Sequence, residues 1–330
     1  MLNYIYNNFE GDKMLDKFKI GHYTDEEKGT GCTVILCEEG AVGGCSIRGS
    51  SPATRETDLL KTEKKVNSVN AVVLSGGSAF GLEASSGVMD YLFENEKGYN
   101  AGKYRVPIVV GASVYDLEYK EFGYPDKKAG YEAAKNAKVS NFERGVIGGA
   151  TGATISKLLG MPTAVKTALG VQTYSINGLE VAVIMVVNAL GDVVKNGEII
   201  GGALAPDGTP ISMKKIFTLG GIEEPKCANT TVGCVLTNAR LTKAEANLLS
   251  DLAHDGFALA LSPSHTRFDG DAMFTLASGE VDVAFDVLAS IIPDLVARAI
   301  QSSVVTTEPI ETKISPIMFK LFNKIWKKLS

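Results

Sequence analysis

The sequence predicts a layered α+β protein, and three observations carry that prediction. Strand-like and helix-like segments follow one another in mixed order, without strict β-α-β alternation, which favours packed layers over a doubly wound sheet. The 35 glycines fall repeatedly in pairs, Gly43-Gly44, Gly76-Gly77, Gly148-Gly149, Gly201-Gly202 and Gly220-Gly221, between apolar runs, as tight strand ends require. The 330 residues are 45% hydrophobic and 22% charged, which supplies a core for one large domain or two small ones.

The elements follow in order. Residues 31–47 (GCTVILCEEGAVGGCSI) read as two short strands around a turn. Residues 70–74 (NAVVL) read as a buried strand, followed by SGGSAFG and a helix from Leu82 to Phe93. Residues 107–111 predict a strand and 127–138 a helix carrying Tyr131. The run 145–156 (GVIGGATGATIS) is small, Gly-rich and uncharged, suited to close backbone packing or a binding loop. Residues 179–189 predict a β-branched strand, with Gly191-Asp192 as the turn before VVKNG. Residues 201–229 read as a linker ending just before Thr230, and 231–237 as a strand. A helix over 242–260 opens with a Thr242–Glu245 capping box. Another covers 283–300, where Pro293 is expected to kink or break it.

Composition narrows the function. A net charge of −5 argues against a nucleic-acid surface over the whole chain. Cys32, Cys37, Cys45, Cys227 and Cys234 are odd in number and lack metal-ligand spacing, as expected of reduced thiols in a cytoplasmic protein. Cys32 and Cys37, five apart in a strand, should point to opposite faces. The first residues lack a basic segment followed by an apolar one, and no apolar run is long enough to span a bilayer. A soluble, cytoplasmic protein is expected. The tail 316–330 (PIMFKLFNKIWKKLS) sets Ile317, Leu321, Phe322, Ile325 and Leu329 on one helical face, with Lys320, Lys324, Lys327 and Lys328 making it basic. Packing on the body or on a neighbouring subunit is the plain expectation; attachment to a membrane surface is the sharper alternative.

Four local patterns bear on chemistry. Gly76-Gly77-Ser78 lacks the spacing of a phosphate loop or a nucleophile elbow and reads as a tight turn. His22, His254 and His265 are the three histidines, and none adjoins an obvious nucleophile in sequence. Asp269-Gly270-Asp271 offers two carboxylates, too few for a calcium loop; they suit a solvated turn or the orientation of a catalytic amine or hydroxyl. Asn229-Thr230-Thr231 places a threonine at the linker–strand boundary. A threonine hydroxyl needs a base beside it, and an N-terminal threonine carries one in its own α-amine, whose free pKa is about 7.7–8.0.

Together, several segments resemble one family. They are IGHYTDEEKGTGCTVIL, IRGSSPATRETDLL, LSGGSAFGLEASSGVM, IGGATGATISKLLG, KTALGVQT, VVNALGDV, NTTVGCVLTNA and FDGDAMFTLASG, in order over residues 18–280. The chain is similar to the DmpA-type L-aminopeptidase/D-esterase family, which includes β-peptidyl aminopeptidases and nylon-oligomer (6-aminohexanoate) hydrolases. The resemblance implies an αββα sandwich of the DmpA and ornithine acetyltransferase type, N-terminal-nucleophile-hydrolase-like. It implies a single domain over 1–315, self-cleaved after Asn229 into 1–229 and 230–330; the tail 316–330 reads from its own pattern as a separate basic helix. It implies amide hydrolysis through an acyl-enzyme on Thr230, with no cofactor and no metal, on a small amide or peptide substrate. Asn188 would contribute to the oxyanion hole and hold the new amine, while Lys166 and Tyr131 would line the nucleophile. Asp269 and Asp271 match the acidic pair of the Thr-nucleophile, nylon-hydrolase-like branch. Tetramers of cleaved protomers are also implied. An acyltransferase and a non-catalytic small-molecule-binding homologue are the alternatives on the same fold.

Overall fold

The computed structural model describes residues 14–205, 207–219 and 228–309. The chain is organised by a ten-stranded sheet. Its main strands are β1 (Lys19–Asp25), β2 (Thr30–Ile47), β3 (Ser68–Ser75), β4 (Val109–Ser113), β5 (Leu169–Ile176) and β6 (Leu179–Asn188). A separate hairpin of β7 (Asp192–Lys195) and β8 (Glu198–Gly201) follows, and then β9 (Thr230–Ala239) and β10 (Ala272–Val281) complete the sheet. The order is β5-β6-β9-β10-β2-β3-β4, with β1 on β2. The pairs β9–β10 and β3–β4 are parallel. Besides a single turn at Ser78–Gly81, the α-helices among the described residues are α1 (Ala84–Glu94), α2 (Lys127–Lys135), α3 (Met213–Thr218), α4 (Lys243–Ala260) and α5 (Phe285–Ser302).

Residues 31–47 form one long strand, where two strands and a turn were expected. The first half of β2 pairs with β1 and β3, and its last six residues pair with β10. Its register against β3 jumps from Leu36↔Ala71 to Ala41↔Val69, and Gly40 takes the bend at φ +90°. Each half has its own partner, so the turn signal is absorbed as an irregularity within a continuing strand.

That bend folds the sheet over itself. Ile35, Val72 and Val110 from one half share a core with Val171, Ile184, Cys234 and Phe274 from the other. Outside the first half, Val34, Val73 and Val109 pack on Val88, Leu92 and Ala133 of α1 and α2. Outside the second, Val183, Val235 and Met273 pack on Leu249, Phe257, Leu288 and Val296 of α4 and α5. The result is helix, sheet, sheet, helix, with strands buried on both faces, which explains their near-continuous apolar runs. Cys32 and Cys37 lie in different clusters on opposite faces of β2, as their spacing required.

At the start of α4 both capping-box bonds form: Glu245 N–H donates to Thr242 Oγ1 at 3.2 Å and Thr242 N–H to Glu245 Oε2 at 2.8 Å. Pro293 does not break α5, which runs uninterrupted through it. The cost of an internal proline is about 3 kcal/mol. Burial of Leu288, Ile292, Leu295, Val296 and Ile300 along the helix offsets it. Within the stretch expected as a linker, α3 is tied down by Met213 N–H donating to Asp192 Oδ2 at 2.8 Å. Among the described residues no helix is long and apolar enough to cross a membrane. The tail 316–330, the first thirteen residues and Cys227 lie outside the described residues.

Candidate active site

β9 is buried along its whole length, between β6 and β10. Its first residue, Thr230, pairs with Asn188, the last of β6. Because β9 and β10 run parallel, the segments that precede them arrive at the same end of the sheet. There Asn229 N–H donates to Phe268 O at 3.1 Å, and Gly270 N–H donates to Asn229 O at 2.9 Å. The Thr230 hydroxyl also donates to Asn229 O, the carbonyl of its own preceding peptide bond. Thr230 is 4% exposed.

The Asp269-Gly270-Asp271 loop forms the wall on this side. Asp271 Oδ1 accepts from Thr231 N–H at 2.7 Å, and its Oδ2 accepts from His265 Nδ1–H at 2.8 Å. Asp269 Oδ2 accepts from Thr266 N–H at 2.9 Å and from its hydroxyl at 2.5 Å. Burial holds the Asp269 carboxyl above the usual carboxylate range, and the charge of Asp271 pushes in the same direction. Glycine is needed between them: a Cβ on Gly270 would stand 2.6 Å from Ser51 O and 2.9 Å from Thr230 Oγ1. The end of β2 braces the loop, with Arg48 and Gly49 N–H groups both 3.1 Å from Asp271 O.

Asn188 forms the opposite wall. Its Oδ1 accepts from Thr154 N–H at 3.0 Å and from Lys157 Nζ at 2.7 Å, and its Nδ2 donates to Tyr115 O at 2.9 Å. Lys157 is 1% exposed, and its Nζ also lies 3.2 Å from Asn188 O and 3.5 Å from Ala228 O. The structure therefore brings together Thr230, Asn229, Asn188, Asp269 and Asp271 of the residues expected from sequence.

Lys166 and Tyr131 have other partners. Lys166 Nζ donates to the carbonyls of Ala150, Ala153 and Thr167 at 2.7, 2.9 and 2.5 Å, and sits 5.4 Å from the centre of the Tyr119 ring. Burial pushes its ammonium down to about 7, against the opposing pull of Asp116. Tyr131 lies on α2, where its hydroxyl donates to Glu94 at 2.7 Å and its ring packs edge-on against Tyr91. The lysine at Asn188 is Lys157, which the sequence reading passed over. Its signal was its position as the first charge after the uncharged run 145–156. His265 was likewise missed as a partner of Asp271, because the two stand six positions apart in a loop.

Two spaces adjoin this region. One, about 10 Å³, is bounded by Tyr115, Asp116, Thr154, Lys157 and Ala228, beside the Asn229–Thr230 bond. The other, about 1170 Å³, opens between the β7–β8 hairpin, α3 and the end of α4. Thr230 does not line the larger space; Ser264, the neighbour of His265, does. Among the described residues, no group of three His, Cys, Asp or Glu side chains is placed to hold a metal ion.

Comparison with known proteins agrees with the resemblance seen in sequence. The profile of peptidase family S58 matches residues 16–315. A protein named as an uncharacterized aminopeptidase from Mycobacterium leprae (strain TN) is 37% identical over 292 residues, spanning 80% of this chain and 77% of its own. A 6-aminohexanoate-oligomer endohydrolase from Paenarthrobacter ureafaciens is 28% identical over 269 residues, spanning 79% and 72%. The solved L-aminopeptidase D-Ala-esterase/amidase of Ochrobactrum anthropi, described as a variant of the Ntn hydrolase fold, superposes with a TM-score of 0.66 at 14% identity, covering 97% of this chain and 96% of that one. A β-aminopeptidase from Burkholderia sp. superposes at 0.62 with 16% identity, covering 98% and 97%. The folded-over sheet between two helix layers is thus the Ntn-hydrolase-type architecture. With its profile match running almost from end to end, the chain belongs to peptidase family S58 and is a hydrolase of peptide or related amide bonds.

Proposed function

We propose that this hydrolase cuts its own chain between Asn229 and Thr230 and then uses Thr230 as the nucleophile for an amide substrate. The observation that carries the reading is the environment of one carbonyl. Asn229 O receives both the Gly270 N–H and the Thr230 hydroxyl, so the nucleophile already lies against the bond it would attack. Attack by Thr230 Oγ on the Asn229 carbonyl carbon would place negative charge on that oxygen, where the Gly270 N–H stands ready to stabilise it. Collapse would break the peptide C–N bond, with the hydroxyl proton passing to the nitrogen. An ester between Asn229 and Thr230 Oγ would result, and water would hydrolyse it to a free carboxyl and a free threonine.

Burial supports the same order of events. Thr230 is covered while its peptide bond is intact, so an external substrate gains access only after the linker is released. The new α-amine then serves as the base for the threonine hydroxyl, which attacks the substrate carbonyl and forms an acyl-enzyme. Lys157 and Asn188, hydrogen-bonded to each other beside Ala228 O, hold the opposite side of that centre. The substrate is a peptide-like amide. The acidic pair and the Thr nucleophile favour the chemistry of the oligomer hydrolases named above.

Denaturing mass spectrometry tests the first step. The purified chain should appear as segments 1–229 and 230–330, and Thr230→Ala should remain full-length and inactive on small amides. Efficient cleavage of Thr230→Ala at the same bond would sink the proposal.

A further inference from the structure

Three rings meet behind Asp271, and the mechanism above uses none of them. His265 stacks on Phe257 at 5.2 Å between ring centres, and His254 meets His265 edge-on at 4.8 Å. His254 and Phe257 belong to α4; His265 lies in the loop before β10. His265 reaches Asp271 twice, through Nδ1–H at 2.8 Å and through its backbone N–H at 3.3 Å. Its Nε2 is buried without a hydrogen-bond partner, so the directed polar contact of the ring is the one to Asp271. Its backbone adopts φ +53°, a left-handed conformation that non-glycine residues rarely take. Such strain persists where surrounding structure enforces it, and it is concentrated at functional sites.

We propose that His265 is a positioning residue for the Thr230 centre: it holds the Asp271 carboxyl in place and, through Asp271, fixes the backbone at Thr231. The Thr231 N–H donates to one oxygen of Asp271, and the ring and backbone N–H groups of His265 donate to the other, so both oxygens are held. Asp269 is held toward its neutral form by burial and by the charge of Asp271.

The other titratable groups around the ring leave this contact alone. His254, from α4, is kept neutral by burial, its pKa pushed down to about 4, so it adds no charge beside His265. Arg48, at the end of β2, is held by Asp251 at 3.0 Å and lies 4.0 Å from Asp255, and its charge is met there on α4. Asp271 is therefore the anion that His265 contacts directly.

The inference rests on Thr230 as the reacting centre, and its test has an arm that does not. In the Thr230→Ala chain, the Thr231 backbone amide is followed by nitrogen NMR and hydrogen exchange, its signal identified by its change in Asp271→Asn. Replacing His265 with Phe keeps the stacked ring and removes the donor; His265→Ala serves where the Phe variant does not fold. Asparagine at 265 keeps a side-chain donor and tolerates the left-handed backbone. The donor-free variant should speed exchange of the Thr231 amide by about tenfold, and His265→Asn should stay near the parent. In otherwise native enzyme, the rate of processing should fall with the donor-free variant and return with His265→Asn. Coincident exchange of the Thr231 amide in parent and donor-free chains would overturn the inference. So would an unchanged processing rate in a donor-free variant that is folded. If no chain processes or hydrolyses an amide while the Thr231 amide responds as expected, the functional proposal fails and the assignment of His265 to Asp271 stands.

Discussion

Lys157 and Lys166 leave the same Gly-rich stretch of chain, and both are buried, yet their ammonium groups are used in different ways. Lys166 is surrounded by three backbone carbonyls of its own neighbourhood. It acts as an internal cross-link, closing the loop 150–153 onto the short strand Val165–Thr167. Lys157 spends its contacts on Asn188 and on the carbonyl two residues before Thr230. A buried cation satisfied by local backbone supports structure. A buried cation aimed at Asn188, which pairs with Thr230, and at the carbonyl of Ala228, beside the bond proposed to be cut, is placed for chemistry. Partners, and not burial, separate the two.

The sharpest way to break this comparison is Lys157→Met, which keeps the length of the stem and removes the charge. Processing and turnover should fall by about two to three orders of magnitude, the effect of removing one group that stabilises developing charge. Near-normal processing by a folded variant would return Lys157 to a structural role. Time courses of precursor disappearance make the measurement.

Lys166→Met should act mainly on stability. It strands three buried carbonyls, and each unsatisfied group costs about 1–3 kcal/mol. The pH dependence has a definite sign. Because the folded-state pKa of Lys166 is lowered from 10.5 to about 7, the folded chain binds fewer protons than the unfolded chain between those values. Its contribution to stability therefore rises with pH from about 7 to 10.5 and is flat below 7. The gap in denaturation midpoint between wild type and Lys166→Met should widen over that window. A gap that narrows, or a variant of full stability that cannot process, would exchange the roles of the two lysines.

Tyr131→Phe gives the smallest effect. Its hydroxyl meets Glu94 at the outer helix layer, so the change should leave both stability and activity near the parent. A large loss of turnover would place Tyr131 at the substrate.

Much of the fold was legible in the chain itself. The β-branched runs at 70–74 and 179–189 and the capped helix at 242–260 follow from local pattern, since side-chain period and end caps are local properties. The Asn-Thr-Thr boundary is a weak signal by itself; the resemblance to the family is what singles out Thr230 there. Local rules failed where distant partners outweighed them. Pro293 continues a helix because the apolar face on both sides of it is buried, and the turn at 38–40 becomes a bend because each half of β2 has its own neighbours.

The sequence by itself determined most element types, the near-continuous apolar runs that bury both faces of the strands, the family motifs and the threonine at the linker's end. Tertiary structure decided which side chains meet. The parallel pairing of β9 with β10 brings residues 229 and 269, forty apart in the chain, to one end of the sheet. The same packing chose Lys157 over Lys166 as the cation at Asn188, sent Tyr131 to Glu94, and set His265 on Asp271. The physical reason is range. Propensity, capping and periodicity act over a few residues, whereas the contacts around Thr230 depend on strand order and register, which are fixed only when the whole sheet closes over its core.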